Sequence, residues 1–132
     1  MPAPETGRPI VGARGSPHDD VALNRIIYDR LREVARRRSV TTYQEMAVLV
    51  GRNVVNAYDR SWLAGKLDAI SAFEVERGHP MLSVVTINAR HLIPGPGFFA
   101  LAERLGRLRQ GEHQIVFFAR ELMNVHYYWG QH

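Results

Sequence analysis

The feature that most constrains the fold is a short segment, TTYQEMAVLVG, that carries the signals for both ends of a helix. Glu45 follows Thr42 at the spacing of a capping box, and Gly51 provides a stop, so the segment predicts a helix over 42–50. A helix of barely two turns is not stable alone in water. It must therefore pack against the rest of a domain, as the supporting helix of a helix-turn-helix packs against the recognition helix.

A longer amphipathic helix is predicted before this segment. Asp19 or Asp20 can cap it, and apolar residues recur at three- and four-residue steps from Leu23 to Ala35. The helix is expected to end near Arg38 and to bury one face. The proline- and glycine-rich residues 1–17 ahead of it are expected to form a mobile tail, which leaves 18–132 as one domain.

The segment after the short helix predicts a loop over 51–60 and a helix over 61–77. Ser61 is its expected cap, and Gly78 and Pro80 end it. Further on, the β-branched residues of 81–87 predict a strand that pairs with a short second strand over 91–93. Two more helices are expected after it, the last over 112–129. Its expected buried residues are Ile115, Phe118, Ala119, Leu122 and Trp129.

This order of elements predicts a mainly α fold with a small β-hairpin, a single winged helix-turn-helix-like domain with extra C-terminal helices. The helix over 61–77 would then be the one that reads DNA. The composition is compatible with this, because 17 residues are Lys or Arg and only Lys66 is lysine. Arginine suits phosphates and guanine edges, although a GC-rich coding sequence produces the same bias.

Several functions are excluded by composition. The chain has no cysteine, which rules out disulfides, thiolate metal sites and cysteine nucleophiles. The histidines show no HxxxH or HExxH spacing, so no metal site and no cofactor are expected. GPGFF, residues 95–99, lacks the spacing and the lysine of a phosphate-binding loop. No apolar run is long enough for a membrane span, and a cytoplasmic location is the expectation.

Three segments together resemble a known family: TTYQEMAVLVG, WLAGKL and HPMLSVVTINARHLIPGPGFF. Over residues 41–99 the chain is similar to the DNA-binding domain of alkylguanine-DNA alkyltransferases and alkyltransferase-like proteins. The resemblance implies a winged helix-turn-helix that binds duplex DNA, with Thr41, Thr42 and Tyr43 near phosphates. It also puts Trp62 where that family inserts an arginine into the duplex. VVTINARH stands where the family has Pro-Cys-His-Arg, so alkyl transfer is excluded.

Polar and basic residues cluster ahead of and within the start of the predicted reading helix. Arginine and asparagine can reach bases there, and serine and lysine can reach phosphates; the alternative is an ordinary solvated face. The candidates are Arg52, Asn53, Asn56, Arg60, Ser61 and Lys66. Arg90, at the expected hairpin tip, would contact the backbone or the minor groove, or would simply be exposed.

Three functional hypotheses follow from these observations. The first is a non-catalytic protein that binds duplex DNA through arginine–phosphate contacts and helix 61–77. The second is a homodimeric protein-interaction module on the same frame, which would use the last helix and its terminal HYYW. The third is a small hydrolase or nuclease whose pocket is built from residues distant in sequence. No catalytic residue can be assigned from the sequence.

Overall fold

The computed structural model describes residues 17–132, with side chains described from Asn24 onward. The predicted tail over 1–17 lies outside this part except for Pro17, where the first helix begins. The elements are α1 (Pro17–Arg36), β1 (Thr41–Thr42), α2 (Tyr43–Leu49), α3 (Ala57–Glu76), a 3-10 helix (Leu82–Val85), β2 (Thr86–Ile87), α4 (Pro96–Arg104) and α5 (Gln114–Gly130). The fold was predicted to be mainly α with a small β-hairpin, and a mainly α fold with one small two-stranded sheet in the described part is confirmed.

The short helix α2 forms as predicted, with both bonds of the capping box present. The Thr42 hydroxyl accepts from the Glu45 N–H at 3.1 Å, and the Glu45 carboxylate accepts from the Thr42 N–H at 3.2 Å. Gly51 adopts the left-handed conformation, with φ 74°, just past the end of the helix. Met46 and Ala47 are buried, so α2 is stabilised by packing as its length requires.

The predicted strand over 81–87 has a different structure and a different partner. It is a 3-10 helix followed by the two residues of β2, and β2 pairs in parallel with β1 rather than with 91–93. Thr86 lies opposite Thr41 in this register. All residues of 81–87 are buried, so the segment runs through the core, where apolar β-branched residues suit a buried turn of helix as well as a strand.

Helix α3 begins four residues earlier than predicted, at Ala57 instead of Ser61. Its cap is Asn56, whose side-chain oxygen accepts from the Asp59 N–H at 3.0 Å. Asparagine and serine are both good caps, and the sequence alone did not separate them. Helix α1 likewise already begins at Pro17, so Asp19 and Asp20 lie inside it.

The predicted buried face of α5 is only partly correct, with Phe118 and Leu122 partly buried against the core. Trp129 is buried as expected, but the other fully buried positions are Phe117, Glu121 and Val125, while Ile115 and Ala119 are exposed. The hydrophobic pattern failed because it treats a glutamate as a surface residue. Glu121 is completely buried, and its charge is compensated inside the protein.

The buried carboxylate of Glu121 accepts hydrogen bonds from Arg107, from Met81 and, at 3.4 Å, from the side-chain amide of Asn124. Arg107 donates to both of its oxygens, from Nε at 2.9 Å and from Nη2 at 2.7 Å. The Met81 N–H donates to it as well, at 2.9 Å. The bond from Met81 ties the start of the central segment 81–87 to α5, and the bidentate pair with Arg107 holds the carboxylate that accepts it. The core around that segment contains residues from α1, α3 and α5, including Ile27, Leu31, Leu63, Leu67, Phe117 and Val125.

A second buried carboxylate, Glu74, connects the carboxyl end of α3 to α1 and α5. It accepts from the Tyr28 hydroxyl at 2.7 Å and is 2.7 Å from Nδ1 of His79. Nε2 of His79 is 2.9 Å from the Tyr128 hydroxyl. Burial, and next the bond to Glu74, raise the pKa of Tyr28 to about 12, so this phenol remains a donor at all physiological pH values.

We expect Arg107→Ala to lower the free energy of unfolding by about 3 kcal/mol, because it leaves the Glu121 carboxylate buried without its cation. The estimate is at the low end for a broken buried pair, since the Arg107 side chain is 32% exposed. Urea denaturation followed by circular dichroism measures the change. Arg109→Ala, at an exposed neighbour, is the control and should cost well under about 1 kcal/mol. Equal effects of the two variants would contradict the role of the pair.

Candidate functional site

A surface cleft of about 440 Å³ lies beside the amino half of α3. One wall carries Arg60, Ser61 and Ala64 of α3, and the facing wall carries Asn88 and Gly95 from the connection between β2 and α4. The walls are therefore far apart in sequence and are brought together by the parallel pair and by the central segment.

Tyr43 joins α2 to the facing wall of the cleft. Its hydroxyl accepts a hydrogen bond from the Gly95 N–H at 2.8 Å. Burial raises the pKa of Tyr43 even though this hydrogen bond opposes the rise, so the phenol stays neutral. The tyrosine expected near phosphates thus lines the cleft and holds the turn before α4 in place.

The turn over 88–93 borders the cleft and is held by Asn88. The Asn88 side-chain oxygen accepts from the N–H groups of Arg90 at 2.8 Å and His91 at 3.0 Å. Its backbone N–H donates to the Ile93 carbonyl, and its carbonyl accepts from the Leu92 N–H. Arg90, His91 and Leu92 are all exposed. Arg90 is thus at the surface as expected, in a tight turn instead of between paired strands.

A patch made of Arg52, Trp62 and Lys66 lies at the amino end of α3. The Arg52 guanidinium is centred 3.8 Å from the Trp62 ring centroid, and Nζ of Lys66 is 5.3 Å from the same centroid. Arg52 also forms an ion pair with Asp59 at 2.9 Å. Together these contacts tie the loop before α3 to its first turns and place two cationic groups close to one aromatic ring.

Arg60 and Ser61 are exposed on the wall of the cleft. Nη1 of Arg60 donates to the carbonyls of Val54 at 2.8 Å and Val55 at 3.3 Å. These bonds orient the guanidinium at the surface and fix it beside the loop. Of the predicted residues, the structure brings Tyr43, Arg60 and Ser61 to the same cleft, with the patch on the same helix.

The remaining predicted residues bond within the chain. Thr42 and Asn56 cap α2 and α3. Thr41 is buried, and its hydroxyl donates to the Glu45 carboxylate at 2.9 Å. The Asn53 side-chain oxygen accepts from the Val55 N–H at 3.0 Å. Their side chains therefore have local structural roles.

The cleft also contains a carboxylate, Asp68, which is not among the predicted site residues. Burial raises the pKa of Asp68, and the nearby charge of Arg104 opposes the rise. Asn88 was also missed as a residue of the cleft, and the left-handed conformation of Leu92 was not predicted. Asparagine as a turn former was a usable signal at 88, whereas nothing local indicated the backbone conformation at 92.

Neither a metal centre nor an identified relative adds to this description. Within residues 24–132, no group of three or more His, Cys, Asp or Glu side chains is placed to hold a metal ion. Of the helices in the described part, none has both the length and the apolarity to cross a membrane. No family model, no curated protein and no solved structure matches the chain.

We expect Asp68→Asn to stabilise the fold at neutral pH. Because the folded state raises the pKa of Asp68, the folded state favours the protonated carboxyl, which asparagine resembles. The protonated form predominates in both states below the unfolded pKa of 3.8, and the favourable contribution is lost as pH rises through the folded pKa. The variant should therefore unfold at a higher temperature than the wild type at pH 7, and the difference should vanish below about pH 3.8. Thermal melts across this range measure it; a lower melting temperature for the variant at pH 7 would contradict the assignment.

Proposed function

We propose that the protein binds duplex DNA without catalysis, through the amino end of α3 and the cleft beside it. One observation carries the proposal: α3 has its carboxyl half fixed in the core, through buried Ser71 and Glu74, while Arg60 and Ser61 at its start are exposed. The exposed amino end of α3 carries the positive end of the helix dipole, which favours phosphate oxygens.

The charges at this end support an anionic partner. Asp59 is paired with Arg52, so its charge is compensated locally. The Arg60 guanidinium is held at the exposed surface by the Nη1 bonds to the loop carbonyls, where a phosphate can approach it. The Arg52 guanidinium stacks on the Trp62 ring. An aromatic ring beside a cationic side chain is suited to contacts with nucleic acid.

The resemblance of residues 41–99 to the alkyltransferase DNA-binding domain supports the same face. The resembling segments contain α2, residues 62–67 of α3 and the turn over 88–93. Since the chain has no cysteine, the proposal is binding without alkyl transfer.

Salt dependence is the direct test of this proposal. Fluorescence anisotropy of a labelled duplex should show an affinity that falls linearly with salt on a logarithmic plot. Arg60→Ala should weaken binding by about threefold to tenfold and reduce the slope by about 1, as expected for one lost phosphate contact. Arg37→Ala is the matched control, because Arg37 lies at the end of α1 in an ion pair with Glu33 and does not line the cleft.

No binding at low salt would end the proposal. If Arg37→Ala and Arg60→Ala weakened binding equally, the protein would bind DNA through its overall charge, and the assigned face would be incorrect.

A second candidate function, a homodimeric interaction module, is favoured by the outer face of α5. Val116, Met123 and Tyr127 are 60%, 71% and 67% exposed and recur at helical spacing along one stripe, with exposed Ala119 between them. An apolar stripe on an outer helix face is a common site of subunit contact, and two copies could pack it face to face.

We expect Met123→Glu to abolish any dimer, because it places a charge in the middle of the stripe on both copies. Light scattering over a range of protein concentrations measures the mass. Gln114→Glu is the control, since it adds the same charge at the exposed first residue of α5. A wild-type protein that remains monomeric at high concentration would remove this candidate.

A further inference from the structure

Leu92 occupies a position that the fold alone does not explain. Its φ is 63°, in the left-handed region that a leucine adopts only at an energetic cost, and glycine or asparagine adopt more readily. Its side chain is also 63% exposed, so it gains little from burial. Both the conformation and the exposure are unfavourable for leucine, which points to a contact outside the chain.

The turn that carries Leu92 is fixed by hydrogen bonds, and it keeps the leucine side chain exposed. Asn88 fixes the turn through its side chain and through both of its backbone groups. On the far side Pro94 is buried, and the Gly95 N–H is bonded to the Tyr43 hydroxyl. A side chain on a turn fixed at both ends loses little entropy when it inserts into a partner.

The surroundings of Leu92 are polar and basic. Arg90 and His91 precede it directly, and both are exposed. Asn88 at the base of the turn lines the same cleft as Arg60. A duplex that contacts Arg60 can therefore reach the turn across the cleft.

We propose, on the basis of the proposed DNA binding, that Leu92 is an apolar wedge that enters between stacked base pairs of a bound duplex. Arg90 and His91 then contact the flanking phosphates. Proteins that kink DNA use leucine and similar residues in this way, beside basic side chains that hold the backbone. A site for a protein partner would instead have a continuous apolar patch around Leu92. The two residues directly before Leu92 are an arginine and a histidine.

The test compares a matched duplex with one that carries a single central mismatch. A mismatched step costs less to unstack, so a wedge should make the wild-type chain bind it more tightly, by about fivefold or more. Anisotropy at low salt gives both affinities, and energy transfer between dyes at the duplex ends reports bending.

Two variants of the full chain isolate the wedge. Leu92→Asn removes the apolar side chain while suiting the left-handed backbone, so its melting temperature should match or exceed that of the wild type. It should bind the matched duplex within about twofold of the wild type, with the salt slope kept, and should lose both the mismatch preference and the bend. Leu92→Met keeps an apolar side chain and should retain both.

The outcomes separate the two proposals. A Leu92→Asn variant that keeps the mismatch preference, or a wild-type chain that binds DNA without any such preference, would overturn the wedge and leave DNA binding intact. If the wild-type chain does not bind either duplex at low salt, DNA binding itself fails and the wedge fails with it.

Discussion

The buried carboxylate of Glu121 is the contact on which the rest of the fold depends. It accepts from the Met81 N–H, where the chain enters the core, and Arg107 neutralises it from the connection between α4 and α5. The segment that follows Met81 is buried throughout and packs against α1, α3 and α5. Its far end forms β2, which pairs with β1 ahead of α2 and so fixes where the short helix and Tyr43 lie.

Elements that depend on local contacts were predictable from the sequence. The cap and the stop of α2 lie within the segment itself, and both form as predicted. The start of α3 was misplaced because Asn56 and Ser61 are both suitable caps, and their choice depends on where the preceding loop is fixed. That loop is held by Arg52, Asp59 and Arg60, through contacts that no periodic pattern reveals.

Elements that depend on distant partners were not predictable in the same way. The partner of β2 lies at Thr41–Thr42, and a run of buried apolar residues does not identify it. The complete buried face of α5 could not be predicted, because a glutamate lies at its centre. Only the position of Arg107 makes the burial of the Glu121 carboxylate favourable. For the candidate site, residue types indicated Arg60 and Ser61 as candidates, and both line the cleft. The cleft could not be predicted, since its walls come from separate parts of the chain.

The two tryptophans of the chain lie in environments that differ strongly, and this gives the protein two separate optical signals. Trp129 is 5% exposed in the core, in edge contact with Tyr28, so its emission should report whether the domain is folded. Trp62 is half-buried at the amino end of α3, with the guanidinium of Arg52 stacked on its ring. With Trp129 replaced by phenylalanine, the emission of the remaining indole would follow events at that surface in an unlabelled sample, independently of unfolding.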